Sequence, residues 1–160
     1  MQESVTFDAK MAMEAYRTAF ENGCSEFLTH YPETELYAPV RYLMGLGGKR
    51  LRPVLVMAAC EAAGGRPEKA LPAALAVELF HNFTLMHDDI MDDAPLRRGK
   101  PTVHEKWDNN TAILSGDALH VMACEALLDA PDKALPDLLR TYHRTALEVC
   151  EGQEQDMAFE

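Results

Sequence analysis

Residues 72–95, PAALAVELFHNFTLMHDDIMDDAP, decide the fold because they join a long helical pattern to a cluster of carboxylates. Prolines bound the segment, and its apolar residues recur at the three- and four-residue spacing of a buried helix. Asp88 and Asp92 are four residues apart and share one face, where their repulsion costs roughly a few tenths of a kcal/mol. Mg²⁺ prefers carboxylate oxygens and takes further ligands from water and phosphates. The stretch therefore predicts a site that holds a polyanion through a divalent metal.

The rest of the sequence predicts an all-α fold, because helical periodicity recurs along the chain and β-strand alternation does not. Glycines and prolines divide this pattern into six helices. We expect them over residues 8–29, 34–46, 52–63, 67 or 72 to 94, 110 or 111 to 130, and 133 to the C-terminus, with a loop over 95–107. A length of 160 residues with 48% apolar content suits a single domain.

Charge and cysteine content indicate which partners and which cellular compartment to expect. The formal net charge of −11 argues against nucleic acid or an anionic membrane as the main partner, since both reward a basic surface. Cys24, Cys60, Cys124 and Cys150 form no Cys-x-x-Cys pair, so we expect buried, reduced thiols. The sequence shows neither a secretory leader nor an apolar run long enough to span a bilayer. We therefore expect a cytoplasmic protein.

Basic charge is concentrated in GLGGKRLRP, residues 45–53, at Lys49, Arg50 and Arg52. This stretch is not a Walker A loop, because Leu43 stands where the first glycine is needed and Arg50 where Ser or Thr should follow the lysine. Two glycines nevertheless let the backbone approach a ligand closely, and Lys49 and Arg52 can aim at one diphosphate. Alone, the stretch is more typical of a basic surface turn than of a ligand site.

His81 lies seven residues before Asp88 and joins Asp88 and Asp92 in one polar stripe along the predicted helix. Such a stripe usually faces water. Here the other faces are apolar, and RRGKPT follows at residues 97–102. These two features favour a ligand site over a solvated surface.

In their order and spacing, these motifs resemble the polyprenyl synthetase family of trans-prenyltransferases. They are GGKRLRP at 47–53, His81, DDIMD at 88–92, RRG at 97–99, PT at 101–102, Gly116-Asp117 and GQEQD at 152–156. The resemblance implies the N-terminal half of an isoprenoid synthase-type helical bundle. It also implies Mg²⁺-assisted, head-to-tail condensation of isopentenyl diphosphate with an allylic diphosphate in isoprenoid biosynthesis. A homodimer, formed through the helix that begins near residue 111, is a further family expectation.

The resemblance assigns roles to individual residues. By this assignment, Asp88, Asp89 and Asp92 bind the Mg²⁺ that bridges to the allylic diphosphate. Arg97 contacts that diphosphate and completes a catalytic set with Asp88 and Asp92. The diphosphate of isopentenyl diphosphate is held by Lys49, Arg52, His81 and Arg98. The cavity wall near the allylic substrate includes Gln153 and Asp156.

Phe83 and Thr84 lie five and four residues before Asp88, where the growing chain descends in this family. An aromatic residue there resembles the short-chain members, so we expect a product of roughly fifteen to twenty carbons. Thr84, next to it, is small, and Phe83 is also typical of an ordinary core residue.

The chain differs from the family in its length. Family members are about twice as long, and their second half carries a Lys-Thr pair and a second aspartate-rich motif that are absent from these 160 residues. We therefore predict one truncated domain over 1–160 and little or no prenyl transfer by the isolated chain. Two alternatives stay open: a non-catalytic subunit of a prenyl synthase, and an HD-type metal-dependent phosphohydrolase suggested by His87-Asp88.

Overall fold

A computed structural model describes residues 9–159, and this part of the chain is predominantly helical. In chain order the elements are α1 (Ala9–Thr29), α2 (Ala38–Gly45), α3 (Leu51–Ala62), a 3-10 turn (Pro67–Ala70), α4 (Leu71–Met91), β1 (Leu96–Arg97), β2 (Lys100–Pro101), α5 (Val103–Lys106), α6 (Asn109–Leu127) and α7 (Leu135–Phe159). The all-α prediction is confirmed. The helix start predicted at residue 8 lies outside the described residues.

Glycine and proline set most helix boundaries. Helix α2 ends at Gly45, two residues before a glycine pair in which Gly47 has a φ of 75° and Gly48 a φ of 144°. Both angles suit glycine far better than other residues. Helix α2 begins at Ala38, later than predicted, because residues 34–37 fold into a turn closed by the bond from the Tyr37 N–H to the Thr34 carbonyl.

The predicted loop after α4 contains a hairpin and the short helix α5. Strands β1 and β2 pair antiparallel, with Arg97 opposite Lys100. Arg98 and Gly99 form the turn with φ angles of 53° and 74°, the left-handed pair that two-residue hairpins favour. We call residues 96–101 the arginine hairpin. Two residues per strand are too few to produce a recognisable alternation in the sequence.

The core lies where α4 packs against α6 and α3. Leu79 and Met86 of α4 and Leu119 of α6 are fully buried, and each such side chain contributes about 1.5–3 kcal/mol relative to an exposed one. Ser115 of α6 donates a 2.8 Å hydrogen bond to the Leu36 carbonyl and ties this helix to the turn before α2. Helix α4 is therefore the central element, and its C-terminal end has a fixed position.

Arg50 turns into this core, although Lys49 and Arg52 on either side of it are exposed. Its guanidinium donates to Glu78 at 2.8 Å and to the Met44 carbonyl at 2.5 Å. Arg50 is 7% exposed and Glu78 is 3% exposed. The pair connects the turn before α3 to the middle of α4, a link between distant residues that the sequence pattern could not indicate.

Helix α7 is held less firmly than the other long helices. Ala146 is its one buried residue within 135–159, and Tyr142 packs edge-on against Phe80 of α4 at a centroid distance of 5.4 Å. Cys150 on this helix is exposed, and Cys60 and Cys124 are only half-buried, so the prediction of buried thiols is correct for Cys24 alone. No helix within residues 9–159 is long and apolar enough to cross a membrane.

Candidate active site at the end of α4

The last turns of α4 carry Asp88, which is half-buried, and Asp92, which is exposed; we call this pair the aspartate face. Burial raises the pKa of Asp88 above its usual range, and the Asp92 carboxylate raises it further, while Arg97 acts in the opposite direction. A divalent cation between the two carboxylates would offset their repulsion. The donor set is therefore suited to Mg²⁺, which takes one or two carboxylates and completes its shell with water and phosphate oxygens.

Asp89 is buried and anchors Arg97. Arg97 Nε lies 2.9 Å from both carboxylate oxygens of Asp89, and Nη2 donates to Oδ1 at 2.6 Å. The bond to Asp89 is also the main reason that the pKa of Arg97 is raised. Because Asp89 is 2% exposed and both of its oxygens contact Arg97, this geometry does not support the predicted metal contact of Asp89.

Arg98 packs on the glycine pair that follows α2. Its Nη1 donates to the Gly47 carbonyl, and a Cβ atom on Gly48 would lie 3.0 Å from that same nitrogen. The missing side chain therefore lets the guanidinium approach the backbone. Burial and the neighbouring Arg50 lower the pKa of Arg98, but an arginine stays charged at neutral pH.

Arg52 and His81 meet across α3 and α4, with Arg52 Nη1 3.2 Å from His81 Nε2. Burial lowers the pKa of His81, and the charge of Arg52 lowers it further. The neutral imidazole can therefore accept the arginine N–H at Nε2. Lys49 is exposed and lies in a shallow groove beside Arg17 of α1. The charge of Arg98 also lowers the pKa of His81, and we call Arg52, His81 and Arg98 the basic cluster. No contact joins Lys49 to this cluster among the described residues.

An apolar cavity of about 500 Å³ opens between α4 and α7. Its lining residues come from these two helices and are Phe83, Thr84, His87, Asp88, Met91, Val149, Cys150, Gln153, Glu154, Met157 and Ala158. Asp88 therefore belongs both to the aspartate face and to the cavity. Gln153 lies on the cavity wall as predicted, whereas Asp156 is exposed and is not among the lining residues.

Phe83 occupies the cavity wall within a cluster of rings. Its centroid lies 4.7 Å from that of His87 and 5.1 Å from that of His120. Thr84 donates a 2.8 Å hydrogen bond to the His81 carbonyl, so its hydroxyl is satisfied by its own helix. Phe83 is thus held by neighbouring rings on the cavity side of α4.

His87 is a cavity residue that sequence reasoning missed. A Cβ atom on Gly116 of α6 would overlap its ring, so the imidazole sits in a space that only glycine leaves open. His87 Nε2 also lies 3.3 Å from the Ile113 carbonyl. The signal in the sequence was Gly116 itself, because a glycine inside a helix costs about 1 kcal/mol relative to alanine and calls for a packing reason.

Comparison with known proteins gives a consistent family. Residues 33–160 match the polyprenyl synthetase family. A geranylgeranyl diphosphate synthase of Methanosarcina mazei is 50% identical over 128 residues, which cover 79% of this chain and 40% of the relative. A geranylgeranyl pyrophosphate synthase of Geoglobus acetivorans is 45% identical over 137 residues, which cover 84% of this chain and 43% of the relative.

Solved structures share the fold. A crystal structure of a geranylgeranyl pyrophosphate synthase superposes with a TM-score of 0.89 at 50% identity, over 92% of this chain and 45% of that chain. The geranylgeranyl pyrophosphate synthetase of Geoglobus acetivorans gives a TM-score of 0.88 at 41% identity, over 92% and 49% of the two chains. The chain thus spans less than half the length of these proteins. On sequence and structure together, it belongs to the polyprenyl synthetase family.

Proposed function

We propose that this chain forms the substrate-binding part of a trans-prenyltransferase that condenses an allylic diphosphate with isopentenyl diphosphate. The observation that carries the proposal is the double position of Asp88, which lines the apolar cavity and also pairs with Asp92 on the aspartate face. An allylic diphosphate has an apolar tail, which suits the cavity, and a charged head, which suits a metal ion on the aspartate face. The relatives named as geranylgeranyl diphosphate synthases support the same activity.

In this proposal Asp88 and Asp92 hold Mg²⁺ at the allylic diphosphate. The ion, when bound, supplies positive charge that stabilises the departing pyrophosphate. Helix α4 fixes both carboxylates before substrate arrives, because its buried face is packed against α6 and α3. That preorganisation matters because electrostatic stabilisation is strongest when the charges need no rearrangement.

Arg97 contacts the same diphosphate, and Asp89 positions it. Asp89 takes Nε and Nη2 of the guanidinium, so the plane of the group is fixed and the Nη1 edge is the one we assign to phosphate oxygens. We therefore replace the metal role first expected for Asp89 with this positioning role. Hydrogen bonds between charged partners contribute about 1.5–3 kcal/mol each, which is enough to justify a dedicated buried carboxylate.

The basic cluster holds the diphosphate of isopentenyl diphosphate. Arg52 and Arg98 supply planar donor groups, and neutral His81 accepts an N–H from Arg52 and so sets its direction. We assign Lys49, whose side chain is exposed, to the same diphosphate. Two diphosphates bound on adjacent sides of α4 bring the allylic carbon and the second substrate's double bond together, so the reaction needs proximity rather than a side-chain nucleophile.

The cavity receives the allylic tail and keeps water from the carbocation that forms when the allylic C–O bond breaks. Phe83, Met91 and Met157 supply apolar walls. The double bond of isopentenyl diphosphate attacks the cation, and a proton is then lost to the pyrophosphate. We propose that Phe83 limits the depth of the cavity, with Thr84 beside it, and that the product has roughly fifteen to twenty carbons.

We also propose a cytoplasmic homodimer. Helix α6 exposes Leu114 and Val121, which are 59% and 63% accessible, on its side away from α4. Exposed apolar residues on one helix face support an interface between two copies. Sedimentation equilibrium measures the mass directly, and Val121→Lys is expected to convert a dimer to a monomer.

The test is prenyl transfer with labelled isopentenyl diphosphate, Mg²⁺ and dimethylallyl, geranyl or farnesyl diphosphate. We expect little turnover by the 160-residue chain alone. We expect Mg²⁺-dependent turnover by a chimaera in which this chain replaces the matching segment of the Methanosarcina mazei relative. In the chimaera, Asp88→Asn should abolish transfer and Asp137→Asn, on the exposed side of α7, should not. A folded chimaera that binds both diphosphates without transfer would contradict the proposal and favour a non-catalytic subunit.

A further inference from the structure

His104 is a buried side chain whose ring nitrogens have no hydrogen-bond partner among the described residues. It lies on α5, directly after the arginine hairpin, and is 9% exposed. Neither Nδ1 nor Nε2 makes a hydrogen bond within residues 9–159. A buried polar group without a partner costs about 1–3 kcal/mol, so two such atoms on one ring call for a ligand.

Two carboxylates converge on this imidazole. One ligand atom each from Asp93, His104 and Glu105 lie within 4.8 Å of one another. His104 Nε2 and Glu105 Oε1 are 3.9 Å apart, too far for a hydrogen bond and close enough for both to contact one ion. Asp93 and Glu105 are exposed, so their side chains are free of packing constraints and can close on a cation.

The ligand chemistry distinguishes this group from the aspartate face. Imidazole nitrogen favours Zn²⁺ and other transition ions, whereas sites made only of carboxylate and water oxygens suit Mg²⁺. Zn²⁺ binds nitrogen and oxygen ligands at about 2.0–2.2 Å, which places tetrahedral ligand atoms roughly 3.3 Å apart. A modest rotation of the two exposed carboxylates reaches that spacing. One nitrogen and two carboxylates also leave the fourth position open for water.

Backbone geometry separates Asp93 from its neighbour Asp92. Asp93 has a φ of 49° at the end of α4, and the Ala94 N–H donates back to the Asp89 carbonyl at 2.9 Å. The chain therefore turns sharply after Asp92. Asp93 meets His104 on the far side of that turn, whereas Asp92 remains with the aspartate face.

The three residues stand at the two ends of the arginine hairpin. Thr102 already closes the base of the hairpin, because its N–H donates to the Pro95 carbonyl at 3.1 Å and its hydroxyl to the Ala94 carbonyl at 2.7 Å. A cation held by Asp93 before the hairpin and by His104 and Glu105 after it would tie the same two strands together. We propose that Asp93, His104 and Glu105 form a second cation site, selective for Zn²⁺, that pins the hairpin carrying Arg97 and Arg98.

The experiment is Zn²⁺ titration of the 160-residue chain by calorimetry. The buffer contains about 5 mM Mg²⁺, so that sites made only of oxygen ligands are occupied before Zn²⁺ is added. We expect one Zn²⁺ site per chain, and X-ray absorption at the zinc edge should show one imidazole nitrogen. Glu105→Gln keeps the buried imidazole and the fold, and should lower the Zn²⁺ affinity roughly a hundredfold or more. Loss of a residue that only supports a ligand lowers metal affinity by about ten- to hundredfold, so a larger loss identifies Glu105 as a ligand. His104→Ala should remove it.

Matched controls are Asp92→Asn, which alters the adjacent carboxylate, and His143→Ala, which removes an exposed histidine of α7. Both should keep the site. Hydrogen exchange gives an independent readout, since Zn²⁺ should slow exchange at residues 96–102 in the wild type and in neither Glu105→Gln nor His104→Ala. Equal Zn²⁺ affinity in wild type and Glu105→Gln, or a zinc edge without imidazole, would overturn the proposal.

Discussion

The two walls of the cavity differ in how they are fixed. On the α4 side, Asp89 and Arg97 form a charged pair, Arg98 sits on a glycine turn, and Arg50 and Glu78 brace the helix from within. On the α7 side, Ala146 is the one buried residue within 135–159. The α4 side is therefore backed by hydrogen bonds and ion pairs behind the cavity lining, whereas the α7 side has a single buried residue within 135–159. Under the proposed function, the part that would recognise diphosphate is the one held by internal bonds, and the part that would meet the hydrocarbon tail has little buried surface.

The largest effect on the free energy of unfolding should come from removing the buried ion pair between Arg50 and Glu78 of α4. Glu78→Ala leaves the Arg50 guanidinium buried without its carboxylate and should lower the free energy of unfolding by about 3–5 kcal/mol. Urea denaturation followed by circular dichroism measures the change. The control is Glu148→Ala on α7, whose exposed pair with Arg144 should contribute about 0.5 kcal/mol or less. Equal losses of unfolding free energy in the two variants would mean that α4 and α7 do not differ in how firmly they are held.

The second effect concerns the aim of Arg97. Asp89→Asn keeps the size of the side chain but removes the charge that receives Nε and Nη2. Binding of an allylic diphosphate analogue in Mg²⁺ should weaken by about 1.5–3 kcal/mol, or roughly ten- to hundredfold. If Asp89 only positions Arg97, the Mg²⁺ concentration that half-saturates binding at saturating analogue should be the same in Asp89→Asn as in the wild type. A clearly higher half-saturating Mg²⁺ concentration would restore Asp89 as a metal ligand.

A smaller effect is expected in the titration of His81. Its pKa lies below the ordinary value of 6.5 because of burial and Arg52, so the folded protein binds fewer protons there than the unfolded chain. This group's stabilising contribution is present above about pH 6.5 and is lost as pH falls through the lower folded pKa. In Arg52→Ala the midpoint, followed by NMR of the ring proton, should move up. Arg140→Ala on exposed α7 should leave it unchanged, and an equal shift would refute the pairing.

The smallest effect should appear at an exposed position of α7. Leu147 of α7 is 65% exposed, so Leu147→Ser should change the free energy of unfolding by about 0.5 kcal/mol or less. Thermal unfolding of the purified variant checks this value. A loss of several kcal/mol would mean that α7 is packed as firmly as α4 and would contradict the difference between them.

Local signals predicted much of the fold. Helix ends marked by Gly45 to Gly48 and by Pro72 are fixed by backbone preferences that act within a few residues, and the structure has them there. The spacing of Asp88 and Asp92 similarly fixes a shared helix face. These features need no knowledge of how distant segments meet.

Features that depend on distant segments were not predictable in this way. The bond between Asp89 and Arg97 requires the register of a hairpin with two residues per strand. The inward turn of Arg50 requires Glu78 of another helix to be opposite it. Asp156 shares a helix side with Gln153 in the sequence, yet the rotation of α7 leaves only Gln153 on the cavity. Such outcomes follow from tertiary packing, which periodicity does not specify.

The most direct test of the central claim is calorimetric binding of farnesyl thiodiphosphate to the 160-residue chain with and without Mg²⁺. The account predicts that binding requires Mg²⁺, is lost in Asp88→Asn and Asp92→Asn, and persists in Asp93→Asn, which removes the same charge from the adjacent position. Binding that is equally strong without Mg²⁺, or that falls as far in Asp93→Asn as in Asp92→Asn, would contradict it.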